Sequence, residues 1–496
     1  MLVNIENIRC YVCHNTLFFY KNNQSHTSVL FGIDYGMENF NLNNLKGKTV
    51  HFVGIGGISM SALALMLKQN KIKVQGSDDA QNSEVEKLRK KGVVVFVGHD
   101  AKNVQGADVV VYSSAISKDN PELVFARQNK LLIIKRAELL GMVAKGYKYV
   151  ISIAGSHGKT TASAMIAEMM HKAGLKPTVH IGGVSNMFNS NYKIGNKRYF
   201  VTESCEYKDN YLHINPDVSI VLNIDADHLD YFKTLQGVKD SFFRFAQNTK
   251  SGGINVICAD DENSGELSTL DNAVLFGFSK GSHLQANNIK EYKPCHYSFD
   301  AYFAGCKLGN IKLNVLGRHN VYNALACLIV ALAFDIEFNI AKDAIESFAG
   351  VKRRCQKIVE KDGVVVYHDY AHHPKQIDEM IDVGKQLCKK DKGRVVVVFE
   401  PHTYSRTKFL LKGFVESLCK ADKIFIAPVY SAREPATAGY DSLKLANEIK
   451  KYNKSVEYLE SYKEIFEGIK SFAKKGDVVM ILGAGTIFKL GDMFLK

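Results

Sequence analysis

An apolar run from Tyr149 to Ala154 feeds straight into Gly155-Ser156-His157-Gly158-Lys159-Thr160-Thr161, and a helical stretch follows, from about Thr160 to Ala173. Strand, glycine loop and helix in that order form a phosphate-binding loop. Its backbone N–H groups curl around phosphates, and its lysine adds a point charge. Only Ser156 and His157 separate Gly155 from the Gly158-Lys159 pair, so the loop is shorter than the usual motif. A strand that ends this way belongs in a parallel sheet covered by helices on both faces. Lys159 would face the transferring phosphate, and Thr160 would offer its hydroxyl to Mg2+.

The same alternation of strand and helix appears before and after this loop. Thr49 to Val53 is a short apolar strand that runs into Gly54-Ile55-Gly56-Gly57 and a helix from Ser59 to Gln69. Further strands are expected at Lys73–Gly76, Val93–Val97 and Asp108–Tyr112, then at Tyr199–Thr202 and Val218–Asn223. Leu325 to Phe334 is apolar all round and reads as a buried helix. Near Gly350 the pattern restarts, with strands at Val364–Tyr367, Arg394–Phe399, Lys423–Ala427 and Asp477–Leu482. The expected fold class is α/β, with three tandem domains at 47–148, 149–350 and 351–496. The first and last are Rossmann-like, and the central one resembles a P-loop ATPase. Residues 1–46 read as a poorly ordered extension or a mis-assigned start, with Met37 as the alternative start.

Bulk properties exclude several classes. The chain has 496 residues, 46% hydrophobic and 23% charged, as in ordinary globular proteins. No apolar stretch is long enough to span a bilayer, so no membrane insertion is expected. The net charge of +13 is spread over scattered lysines without a basic-aromatic groove, so no nucleic-acid partner is expected. Ten cysteines without a disulfide-like framework suggest reduced thiols and a cytoplasmic protein. Cys10-Tyr11-Val12-Cys13-His14 matches a haem-attachment pattern, but no export signal precedes it.

The turn at Gly54, Ile55, Gly56 and Gly57 would let backbone N–H groups approach a diphosphate, and Asp78 could accept a ribose hydroxyl. A nicotinamide enzyme is one reading of that turn, but the third glycine of that fingerprint is Ser59 here. Glu203 and His228 lie just beyond apolar strands, in Val201-Thr202-Glu203-Ser204-Cys205-Glu206 and Asn223-Ile224-Asp225-Ala226-Asp227-His228. Ionisable clusters at strand ends suit a metal-phosphate site.

Further motifs complete a recognisable series: Arg318-His319-Asn320-Val321-Tyr322-Asn323-Ala324, Lys352-Arg353-Arg354, Asp369-Tyr370-Ala371-His372-His373-Pro374, and Phe399-Glu400-Pro401-His402-Thr403-Tyr404-Ser405-Arg406-Thr407. Together with GIGGISMSALA, Ser113-Ser114-Ala115-Ile116, the Ala137-Glu138 pair and Ser431-Ala432-Arg433-Glu434, this series resembles the Mur ligases, the ATP-dependent amino-acid-adding enzymes of peptidoglycan synthesis. The resemblance runs from about Lys48 to the C-terminus.

The resemblance implies ATP and Mg2+ as cofactors, and UDP-N-acetylmuramate and L-alanine as the other substrates. Gly54, Ile55, Gly56, Gly57, Asp78, Ser113, Ser114 and Ala115 would hold the UDP-sugar. Gly155, Ser156, His157, Gly158, Lys159, Thr160, Thr161, Asn320, Asn323, Arg354 and Asp369 would hold ATP. Thr160, Glu203 and His228 would take the metal. His373, His402, Arg406, Arg433 and Glu434 would read the amino acid, and Lys159, His228 and His373 would serve catalysis. Many relatives read EADESD where this chain has Glu203-Ser204-Cys205-Glu206-Tyr207-Lys208, so no role passes to Glu206. The carboxylated lysine of later-acting relatives is not assigned to Lys239, since Phe242-Phe243 sits near its position. Within the family, a tripeptide-recycling ligase and a folylpolyglutamate synthase are the alternatives. Outside it stand a nicotinamide oxidoreductase, a P-loop kinase or motor, and a non-catalytic nucleotide binder.

Overall fold

The computed structural model describes residues 42–432, 434 and 440–495. Cys10, Cys13, His14, Met37 and Arg433 lie outside the described residues. Three sheets organise the chain, as the α/β reading requires. The first contains β1 (Thr49–Val53), β2 (Lys73–Asp78), β3 (Val94–Val97), β4 (Val109–Tyr112) and β5 (Leu132–Lys135), in the order β3-β2-β1-β4-β5. All four pairings are parallel. The order reverses at β1, and ligands of open parallel sheets bind beyond the strand ends at such a point. The Gly54 turn leaves β1 there, and Ser113 follows β4 there.

The second sheet contains β6 (Tyr149–Ala154), β7 (Thr178–Ser185), β8 (Ser190–Lys193), β9 (Tyr199–Glu203), β10 (Val218–Val221), β11 (Ile254–Cys258), β12 (Ala273–Gly277), β13 (Leu284–Lys293), β14 (His296–Phe303) and β15 (Cys306–Lys312). Its order is β15-β14-β13-β12-β11-β10-β6-β9-β7-β8. The third contains β16 (Gln356–Lys361), β17 (Val364–Asp369), β18 (Val395–Phe399), β19 (Lys423–Ile426), β20 (Val456–Tyr458) and β21 (Val478–Leu482), ordered β16-β17-β21-β18-β19-β20. Only its edge strand β16 runs antiparallel.

Strands near the sheet centres are Val- and Ile-rich because both faces are covered: every residue of β10, β11, β18 and β21 is buried. The helix Asn320–Ala333 is buried from Ala324 to Ala331, as its unbroken apolar run predicts. Among the described residues, no helix is long and apolar enough to cross a membrane. The described cysteines are all free thiols.

The chain forms two compact units. The first takes residues through Ala286 with Ala301–Leu308 and Tyr322–Ile345; the second takes Asn287–Asp300, Gly309–Val321 and Glu346–Lys496. The sequence pattern places no division inside 149–350, because β13 and β15 are mostly exposed and lack a clear apolar alternation. Leu42–Leu45, within the segment read as an extension, forms a short helical turn with Leu45 fully buried in the core of the first sheet.

Within the first unit, the first two sheets are joined by specific contacts. Asn191 Nδ2 donates to Ile58 O (2.8 Å), and Ser59 Oγ meets His180 Nε2 (2.9 Å). The helix Arg136–Ala144 comes so close to the Tyr207–His213 segment that a Cβ on Gly141 would lie 2.2 Å from His213 O. The turn after β1 and the loop after β6 are thereby held in one body.

Candidate functional site

In the first unit, the loop after β6 has the backbone that its glycines predict. Gly155 and Gly158 adopt φ of +143° and +83°, which side-chain-bearing residues rarely reach. A Cβ on Gly158 would also lie 3.1 Å from Asn323 Oδ1, so Asn323 stands against the loop. Ser156 N donates to Asn223 O (3.0 Å), and Asp225 N donates to Ser156 Oγ (2.8 Å). His157 N donates to Asn223 Oδ1 (2.8 Å), and the His157 ring meets Asp225 Oδ2 (3.2 Å). These contacts lock the short loop to the end of β10. Lys159 and Thr160 then open the helix Lys159–Lys172, whose N-terminus favours anions.

Lys159 Nζ reaches Glu206 (3.0 Å to Oε1, 2.9 Å to Oε2) and also donates to Gly155 O and Ser156 O. The Oε2 approach is an ion pair by distance but lies off the line of a good hydrogen bond, which leaves that buried oxygen poorly satisfied. Burial alone would lower the Lys159 pKa; Glu206, aided by Glu203, outweighs it and raises the value. The lysine is therefore a fixed cation held beside its own loop. Glu206 is the residue that sequence reasoning left without a role.

Thr160 Oγ1 donates to Glu203 Oε2 (2.8 Å), and Gly182 N donates to the same oxygen (2.7 Å). Hydroxyl and carboxylate oxygens at this spacing suit a hard cation such as Mg2+, so these residues fit the metal that the sequence implies. His228 has left-handed φ (55°), lies tilted against the Tyr207 ring (4.7 Å between centroids), and sits 4.0 Å from Glu206 Oε1. Thr160 and Glu203 are thus brought together, while His228 stands with Glu206. Gly182 lies hard against the carboxylate: a Cβ there would be 2.6 Å from Glu203 Oε2. Gly182→Ala should displace Glu203 and lower turnover about 10- to 100-fold with little change in melting temperature, measured by steady-state kinetics and thermal unfolding.

At the first sheet, Gly56 N donates to Asp78 Oδ2 (2.8 Å), and a Cβ on Gly54 would lie 3.0 Å from Ile116. The glycine turn, Asp78 and the Ser113–Ile116 loop therefore meet at the switch point. Ala115 N donates to Ser113 Oγ (3.3 Å), which closes that loop. Arg136, which the sequence reading passed over, also reaches this end, with Nη1 3.2 Å from Ser59 Oγ. A signal existed: as first residue of its helix, Arg136 puts a cation at the positive end of the dipole.

In the second unit, Asp369 ends β17 and accepts from Cys355 N (2.6 Å). Burial raises its pKa, against the pull of Arg354. Arg353 and Arg354 both lie over the Tyr370 ring (4.9 Å each). His373 caps the helix Pro374–Cys388 and is buried; Asn320 donates to Leu316 O (2.7 Å). Arg406 Nη1 lies 3.4 Å from His402 Nδ1, and Glu434 accepts from Ser405 N (2.9 Å) and Ser405 Oγ (2.5 Å). His402, Arg406 and Glu434 thus cluster around the segment 402–406.

Comparison with known proteins bears on this arrangement. The sequence model of the "Mur ligase family, catalytic domain" matches residues 49–148, that of the "Mur ligase middle domain" residues 153–331, and that of the "Mur ligase, glutamate ligase domain" residues 353–485. The chain belongs to the Mur ligase family. Among its relatives, the UDP-N-acetylmuramate–L-alanine ligase of Caldicellulosiruptor saccharolyticus is 43% identical over 446 residues, 89% of this Mur ligase chain and 97% of that protein. The crystal structure of the UDP-N-acetylmuramate–alanine ligase from Thermotoga maritima aligns with a TM-score of 0.77 and 28% identity, covering 90% of this chain and 98% of that one. A murein peptide ligase from Psychrobacter arcticus shares the Mur ligase fold at 23% identity and a TM-score of 0.69, with 90% and 98% covered.

Proposed function

We propose that this chain is an ATP-dependent ligase that joins L-alanine to the carboxylate of UDP-N-acetylmuramate in the cytoplasm, releasing ADP and phosphate, as a step of peptidoglycan precursor synthesis. One observation supports the reading: a single compact unit holds two glycine turns that each follow a strand, Gly54–Gly57 and Gly155–Thr161, and each could cradle phosphate. A sugar nucleotide and a phosphoryl donor each need one. A nicotinamide enzyme leaves the second unexplained, and a simple kinase leaves the first.

A carboxylate is a poor electrophile. Its oxygen attacks the γ-phosphorus of ATP, ADP leaves, and an acyl phosphate forms. The amine of alanine then attacks the acyl carbon, loses a proton, and expels phosphate to give the amide. Lys159 counters charge on the γ-phosphoryl oxygens, and the loop N–H groups orient the chain of phosphates. Thr160, Glu203 and His228 would hold Mg2+, which when bound neutralises phosphate charge. Asn320, Asn323, Arg354 and Asp369 are assigned to ATP. His373 is assigned to holding or moving the amine proton. His402, Arg406, Arg433 and Glu434 are assigned to the amino acid.

The test is phosphate release from ATP and Mg2+ with UDP-N-acetylmuramate, comparing L-alanine, glycine, serine and the stem tripeptide. Release that needs both the sugar nucleotide and L-alanine is the expected result. Release driven by the tripeptide alone would replace this reading with a tripeptide-recycling ligase.

A further inference from the structure

We infer that Arg136 grips the carboxylate of the sugar-nucleotide substrate and aims it at the γ-phosphate of ATP. The inference rests on the ligase reading and deepens it. Arg136 begins its helix, where a cation meets the positive end of the dipole, so its position is not explained by helix stability. Among the described residues, its guanidinium makes the one hydrogen bond to Ser59 Oγ and no ion pair. A guanidinium carries five N–H donors in a planar fork, a shape that matches a carboxylate bidentately.

A chain of hydrogen bonds links that fork to the ATP side of the unit. Burial, reinforced by Arg136, holds the His180 pKa down to about 3, so the imidazole is neutral. Ser59 can then donate to His180 Nε2 (2.9 Å) while accepting from Arg136. His180 Nδ1 meets Thr202 Oγ1 (3.3 Å), which donates to Glu203 O (3.2 Å). The chain runs from the start of the sugar-nucleotide helix to Glu203, which shares Thr160 at the ATP loop. Arg136 also feels Glu203 electrostatically, beyond ion-pair distance. Its unused donors therefore lie between the two phosphate turns, where the reacting carboxylate must pass. The diphosphate already has the Gly54–Gly57 turn and the start of the helix Ile58–Gln69.

The test compares binding of two nucleotide sugars by calorimetry: UDP-N-acetylmuramate, and UDP-N-acetylglucosamine, which lacks the lactyl carboxylate. Arg136→Met should weaken the first by about 10- to 100-fold, the worth of a charge-assisted bond, and leave the second within about twofold. Arg136→Lys, which keeps the charge but not the fork, should fall between and serves if the methionine variant unfolds. In kinetics, KM for UDP-N-acetylmuramate should rise and kcat should fall, with KM for ATP little changed. Equal weakening of both sugars would mean that Arg136 holds the diphosphate, and no weakening would mean that it is structural; either overturns the proposal. If the wild-type enzyme itself binds no UDP-N-acetylmuramate, the ligase reading fails first, and the Arg136 role falls with it.

Discussion

Lys159→Ala is expected to cut phosphate release by about a thousandfold while leaving UDP-N-acetylmuramate binding within about twofold. A lost preorganised charge or donor at a developing phosphoryl charge costs roughly that much. The sugar nucleotide should be spared because the turn proposed to hold it follows β1 of the first sheet, whereas Lys159 follows β6 of the second. Stability should move separately. Lys159 is paired with the buried Glu206, and deleting the lysine strands that carboxylate. The double variant Lys159→Met, Glu206→Gln should therefore recover much of the lost melting temperature and none of the activity. Activity surviving in either variant would contradict the assignment of this loop to ATP.

The largest stability effect is expected at Glu122, in the core of the first sheet. Its carboxylate is fully buried and accepts from Asn103 Nδ2 (2.8 Å) and Ser77 Oγ (2.5 Å); it also meets the His51 (3.4 Å) and His99 (3.2 Å) rings. Glu122→Ala leaves these donors without their acceptor and should cost about 3–5 kcal/mol, a drop of roughly 10 °C in melting temperature. Burial alone would raise the Glu122 pKa, but its hydrogen bonds, led by His51 and His99, pull it well below the glutamate range. The bond to Glu122 raises the His99 pKa above 6.5. The signs follow. A lowered carboxylate pKa stabilises the fold above the unfolded value and loses that as pH falls. A raised histidine pKa stabilises it below the unfolded value and loses that as pH rises through the folded one. The gap between wild type and Glu122→Gln should thus be widest between the ordinary values of 4.5 and 6.5, and shrink on both sides. Melting curves across pH would show it; a gap independent of pH would remove the charge from the account.

What the sequence disclosed was local. The strand Tyr149–Ala154 matches the prediction residue for residue, and the helix after it starts one position early, at Lys159. Glycine turns and apolar runs are written in consecutive residues, so they read directly. The hidden parts are pairings across long separations. Glu122 draws on His51, 71 positions away, and Ser59 on His180, 121 away. Gly182 matters only because Glu203 folds onto it. Arg136 is a lone cation in sequence; its meaning comes from a partner 77 residues earlier. The strands β13 and β15 escaped because exposed, lysine-bearing strands carry little apolar alternation.

The most direct measurement follows one oxygen atom. UDP-N-acetylmuramate labelled with 18O in its carboxylate is turned over with ATP, Mg2+ and L-alanine, and the released phosphate is weighed by mass spectrometry. If the carboxylate attacks the γ-phosphorus and an amine later expels phosphate, each phosphate formed from fully labelled substrate carries one heavy oxygen. Phosphate without label, formed at the same rate as the amide, would mean that the carboxylate never joined to phosphorus, and the acyl-phosphate account would be wrong.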